Sequence, residues 1–78
     1  DLDKKSFNDL FNLKFLFLGF NKIKILHEIL FENLHNLIQL NLNQNQISKI
    51  DFKSFKNLTR LQVLNLEDNC LFKIEKSV

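Results

Sequence analysis

The sequence predicts an α/β repeat architecture, a small array in which segments of equal length stack and lay short strands side by side. Three observations predict it. Shifted against itself by 24 residues, the chain brings Leu13, Leu37 and Leu61 into one column, Leu16, Leu40 and Leu64 into a second, and Leu18, Leu42 and Leu66 into a third. The columns that follow are Asn21, Asn45 and Asn69, then Ile23, Ile47 and Leu71, then Leu26, Ile50 and Ile74, with Leu2 upstream in the last of these. Phe7, Phe31 and Phe55, then Leu10, Leu34 and Leu58, complete a phase that runs without insertion or deletion. A fixed period of roughly 20–50 residues marks an array whose units bury their apolar faces against neighbours.

Each element follows from the columns. In "LIQLNLNQNQISKI", Leu37 to Ile50, the alternation from Leu40 to Leu42 suits a strand, then lapses into Asn and Gln before apolar residues resume at Ile47. Neither a helix nor an ordinary hairpin spaces its leucines this way. Strands are expected near 15–18, 39–42 and 63–66, with irregular or short helical turns near 29–34 and 53–58.

Composition bounds the rest. Seventy-eight residues allow one small domain, and so short a chain buries a modest share of its surface. Its single cysteine, Cys70, cannot form an internal disulfide, and no Cys/His cluster suggests zinc. The absence of methionine suggests a piece of something longer, whose uncapped ends would leave it marginal in isolation and prone to associate. Eleven basic and nine acidic residues are interspersed, so no charge block marks a nucleic-acid or anionic-membrane surface. No apolar run approaches the roughly 20 residues of a membrane helix, and "DLDKKSFNDL" lacks the apolar core of a signal peptide. Sixteen leucines, eleven asparagines, ten lysines and nine phenylalanines, with no Ala, Pro, Trp or Tyr, suggest an AT-rich coding bias.

Written as one motif, the columns read L-x-x-L-x-L-x-x-N-x-[IL]-x-x-[IL]-x-x-x-x-F-x-x-L. This closely resembles the leucine-rich repeat, and with Phe five residues after the second [IL] it is similar to the 24-residue "typical" subclass. The resemblance covers the whole chain as a single segment, 1–78: a partial repeat (1–12), two complete ones (13–36 and 37–60) and the front of a fourth (61–78). It implies a right-handed solenoid with a short parallel sheet on the concave side and irregular or short helical segments on the convex side. The leucines of each L-x-L would point inward and the residues between and beside them outward. The Asn column would turn inward and satisfy backbone groups of the loops, and Phe7, Phe31 and Phe55 would stack as a convex spine.

Catalytic chemistry finds no support. "HEILF" at 27–31 begins like the zinc-protease H-E-x-x-H, but Phe31 stands where the second histidine is required, and His35 belongs to the convex loop. Cys70 has no histidine in its repeat for a nucleophilic pair, and the one glycine, Gly19, cannot make a phosphate loop. No enzyme activity, cofactor or metal is expected. "NLT" at 57–59 makes Asn57 an N-glycosylation acceptor, which leans extracellular.

The outward positions form four ladders: Phe15, Gln39 and Val63; Phe17, Asn41 and Asn65; Gly19, Asn43 and Glu67; Phe20, Gln44 and Asp68. They grade from aromatic through amide to acidic. The expected function is protein–protein interaction through this concave face, with Phe15, Phe17 and Phe20 as apolar anchors and the other ladder residues as a polar rim. Coverage by an upstream repeat, or the Phe-rich composition alone, would also account for the three rings. A cell-surface or extracellular ectodomain, as in matrix proteins and Toll-like receptors with their role in signal transduction, is the expected setting. A cytoplasmic scaffold or adaptor, or a spacer without ligand contact, are the alternatives. Expected partners are a protein ligand and flanking repeats of the same chain, without nucleic acid or membrane insertion.

Overall fold

Among the described residues five strands of three residues each form: β1 (Phe15–Phe17), β2 (Gln39–Asn41), β3 (Lys49–Asp51), β4 (Val63–Asn65) and β5 (Lys73–Glu75). The computed structural model describes residues 2–71 and the backbone of 73–75. Strands β1, β2 and β4 make one parallel sheet in that order. Phe15 pairs with Gln39 and Gln39 with Val63, and Leu16, Leu40 and Leu64 fall on one row, so the sheet register equals the sequence period.

Pairing runs beyond the strands. Ile38 N–H donates to Lys14 O at 2.7 Å, Leu18 N–H to Asn41 O at 2.8 Å and Phe20 N–H to Asn43 O at 3.0 Å. The next pair of passes repeats these bonds: Gln62 N–H to Ile38 O, Leu42 N–H to Asn65 O and Gln44 N–H to Glu67 O. Backbone groups on the sheet side therefore find partners even where the chain has left β geometry.

On the opposite side each pass returns through consecutive i→i−3 turns. Leu34 N–H donates to Phe31 O and Leu37 N–H to Leu34 O, and the same pair of bonds recurs at Leu10 and Leu13 and at Leu58 and Leu61. The turns span 28–33 in the middle pass; in the next they tighten into a 3-10 helix, Phe52–Phe55, capped by the Asp51 carboxylate accepting from Lys53 N–H. These agree with the expected positions. The spacing did not anticipate β3 and β5, which pair in parallel with Lys49 opposite Lys73 and Ile50 opposite Ile74. The inward assignment of the Ile74 side chain lies outside the described residues.

Alternation puts Leu37, Leu40 and Leu42 at full burial beside Leu34, Phe31 and Ile47. Phe7, Phe31 and Phe55 stack with ring centroids 6.2 Å apart and planes within 13° of parallel. Each such side chain contributes roughly 1.5–3 kcal/mol on burial. Burial is greatest in the middle pass, which has a neighbour on both sides: Leu40 is inaccessible, whereas Leu64 is 37% exposed and Leu16 half-buried.

Asparagine closes the turn that follows each strand. Asn45 is buried; its Oδ1 accepts Ile23 N–H at 3.0 Å, and its Nδ2 donates to Leu18 O and Leu42 O at 3.0 Å. Asn69 repeats the pattern on Ile47 N–H, Leu42 O and Leu66 O. Asn21 is exposed and donates within its own turn, to Leu18 O and Gly19 O. Asn45 and Asn69 each stitch their pass to the one before it, and among the described residues no buried side-chain polar atom lacks a partner.

Candidate functional site

The outer face of the three-stranded sheet is set by the same alternation that buries the leucines. With Leu16 turned in, Phe15 and Phe17 turn out, and they are 51% and 62% exposed. Phe20, just beyond β1, is 79% exposed, and Val63 on β4 is also exposed. The ladders Phe15, Gln39, Val63 and Phe17, Asn41, Asn65 line up in the strand register; beyond the strands Phe20 N–H donates to Asn43 O and Gln44 N–H to Glu67 O.

The polar ladders are less free than spacing alone suggests. Asn41 is half-buried, and its Oδ1 folds back to accept Asn43 N–H at 3.0 Å; Asn65 does the same for Glu67 N–H at 2.9 Å. Both carboxamides hold the chain as it leaves the strand. A phenyl ring at Phe17, the matching position in β1, offers no acceptor, so that side chain takes no part in the turn and is left mostly to solvent or a partner. Gln39 and Asn43 are half-buried, whereas Gln44, Glu67 and Asp68 are exposed. Gln44 Nε2 donates to Asp68 Oδ2 at 2.9 Å, which fixes the carboxylate on the face.

Gly19 fills its column for a steric reason. A Cβ there would overlap Asn43 Oδ1 and come within 3.2 Å of Asn43 O, so the Asn43 carboxamide lies over the glycine. Asn43 therefore packs against the neighbouring pass instead of facing only water.

Phe20, Gln44 and Asp68 share a backbone conformation that the columns did not signal, with φ of 58°, 56° and 58°. The turn out of the strand demands left-handed geometry in all three passes. Asp accepts that region readily, whereas a bulky aromatic residue is uncommon there. Of these residues only Asp68 is a turn-former by type, so the signal in the sequence was faint.

Asn57 is half-buried and Thr59 exposed on the turn side, away from the sheet. His27, His35 and Cys70 are exposed. Among the described residues no group of three or more His, Cys, Asp or Glu is placed to hold a metal ion, and no helix is long and apolar enough to cross a membrane.

Repeating strands in a 24-residue register, the inward Asn45 and Asn69 and a phenylalanine spine define a repeat protein built around a parallel sheet. The sequence model of the leucine rich repeat family matches residues 1–47 and again 36–77, and the chain belongs to that family. Its members generally serve as protein–protein interaction modules rather than as enzymes. No curated protein matches the chain.

Proposed function

We infer that this segment is part of a right-handed solenoid that binds a protein through its concave sheet face, with Phe15, Phe17 and Phe20 as the anchor. One observation carries the reading: three exposed aromatic rings lie together on β1 and its exit turn, mounted on a sheet whose backbone is hydrogen-bonded across all three strands. Interface energy concentrates in a few aromatic residues, and a preformed sheet loses little freedom on docking. Gln39, Asn41, Asn43, Gln44, Val63, Asn65, Glu67 and Asp68 form the surround, in which Asn41 and Asn65 serve mainly to shape the backbone.

The setting that best fits Asn57-Leu58-Thr59 and the resemblance to the "typical" subclass is a cell-surface or secreted ectodomain that carries signals and bears a glycan at Asn57. The exposed Cys70 favours a second reading, a scaffold in a reducing compartment. Peptide N-glycosidase treatment separates the two: a mobility shift lost in Asn57→Gln supports the ectodomain, and no shift supports the scaffold.

The binding face is tested with a photo-crosslinking phenylalanine analogue placed at Phe17 or, as control, at the exposed Phe52 in the 3-10 helix. A protein adduct formed from position 17 and absent from position 52 is expected. Adducts from 52 alone would move the interface to the turn side, and none from either would favour the spacer role.

A further inference from the structure

The face is polar in the electrical sense, and the asymmetry runs across the strands. In sequence Lys14 precedes the aromatic row of the β1 pass and Lys22 follows it; both are exposed. At the β4 end Gln62 and Cys70 hold the columns of the two lysines, while the exposed pair Glu67 and Asp68 holds those of Gly19 and Phe20. The Glu67 backbone and the Asp68 carboxylate are held in position. Glu67 N–H is tied to Asn65 Oδ1 at 2.9 Å, and one Asp68 oxygen to the Gln44 amide at 2.9 Å. Phe20 and Asp68 occupy the same column two strands apart, and at about 4.8 Å per strand their backbones lie about 10 Å from each other.

Phe20 adds a second argument. Its φ of 58° is imposed by the turn, which Gln44 and Asp68 share. A 79% exposed ring gains almost nothing from the fold there, yet a bulky residue in this region carries backbone strain. The fold itself therefore supplies no reason for a ring at this position.

We propose that the occupant of this face is a protein segment that crosses the strands, laying an apolar side chain on Phe15, Phe17 and Phe20 and a lysine or arginine on Glu67 and Asp68. This rests on the concave-face reading and names its partner's chemistry. An extended segment advances about 3.3 Å per residue, so the two groups are about three residues apart. Lys14 and Lys22 repel a basic residue at the aromatic end and thereby fix the direction in which the segment lies. Charge of this kind chooses orientation and partner more than it raises affinity.

Short random peptides displayed on phage and selected on the intact protein test this. Selected sequences should carry an aromatic or large aliphatic residue about three positions from Lys or Arg. A synthetic peptide of that kind should lose affinity at least about tenfold on Phe20→Asn and on the double variant Glu67→Lys, Asp68→Lys. Replacing its basic residue by Glu should abolish binding to the natural face and restore it to the double variant, a rescue that altered folding would not give. Peptides that need the three phenylalanines but ignore the charge reversal would overturn this proposal and leave the concave-face reading standing. Selection of no peptide sensitive to Phe17→Ser or Phe20→Asn would overturn both.

Discussion

Asn45 Oδ1 accepts the backbone N–H of Ile23 at 3.0 Å, across 22 residues of sequence and one step of the repeat. The same carboxamide donates to Leu18 O and Leu42 O, so one side chain closes its own turn and ties it to the previous one. Asn45→Ala leaves these buried groups unmatched at about 1–3 kcal/mol. Asn43→Ala removes a half-buried amide that lies over Gly19, and about 0.5 kcal/mol is expected, within the usual range for substitutions that break no buried network. Urea denaturation of the two variants checks the order; equal losses would refute the register.

Burial in the middle pass predicts a gradient along one column. Leu40→Ala should cost about 2–5 kcal/mol, because the cavity is enclosed by neighbours on both sides. Leu64→Ala should cost about 1–2 kcal/mol, since that side chain is 37% exposed and truncating it leaves a partly open site. Chemical melts of both, extrapolated to water, give the comparison.

Phe20 predicts a gain. Left-handed geometry costs an ordinary residue roughly 1–2 kcal/mol, and asparagine tolerates it through its short polar side chain. Phe20→Asn should therefore raise stability by about 0.5–1 kcal/mol, read as a higher denaturant midpoint with an unchanged slope. A lower midpoint would mean that the ring packs on the fold.

Gly19 and Asn43 should be coupled. Gly19→Ala forces the Asn43 carboxamide off its position, at roughly 0.5–1.5 kcal/mol for the displaced rotamer. In an Asn43→Ala background most of that loss should vanish, and a double-mutant cycle measures it directly.

Much of this was legible in the sequence because the period is uninterrupted. Leu16, Leu40 and Leu64 located three strands to within a residue, and Phe7, Phe31 and Phe55 located the stack. What escaped has particular causes. The strand at Lys49–Asp51 alternates around a single inward Ile50, too short a pattern to separate from a loop, and its pairing with Lys73–Glu75 is a consequence of stacking rather than of local propensity. Asn41 and Asn65 read as outward amides; that they fold back onto Asn43 and Glu67 N–H depends on the left-handed turn that follows, which Phe20 and Gln44 conceal. On the candidate face, side-chain direction could be read from period two, but the fraction of each amide already engaged could not.

The central claim is that neighbouring residues on β1 separate binding from stability, Phe17 outward and Leu16 inward. Affinity for the protein crosslinked through position 17, measured beside the melt of the intact protein, tests it for Phe17→Ser and Leu16→Ala. Phe17→Ser should weaken binding at least about tenfold with a melt changed by no more than about 0.5 kcal/mol, while Leu16→Ala should lower the melt by about 2 kcal/mol or more. A Phe17→Ser melt displaced as far as that of Leu16→Ala, or an affinity left unchanged by Phe17→Ser, would contradict the account.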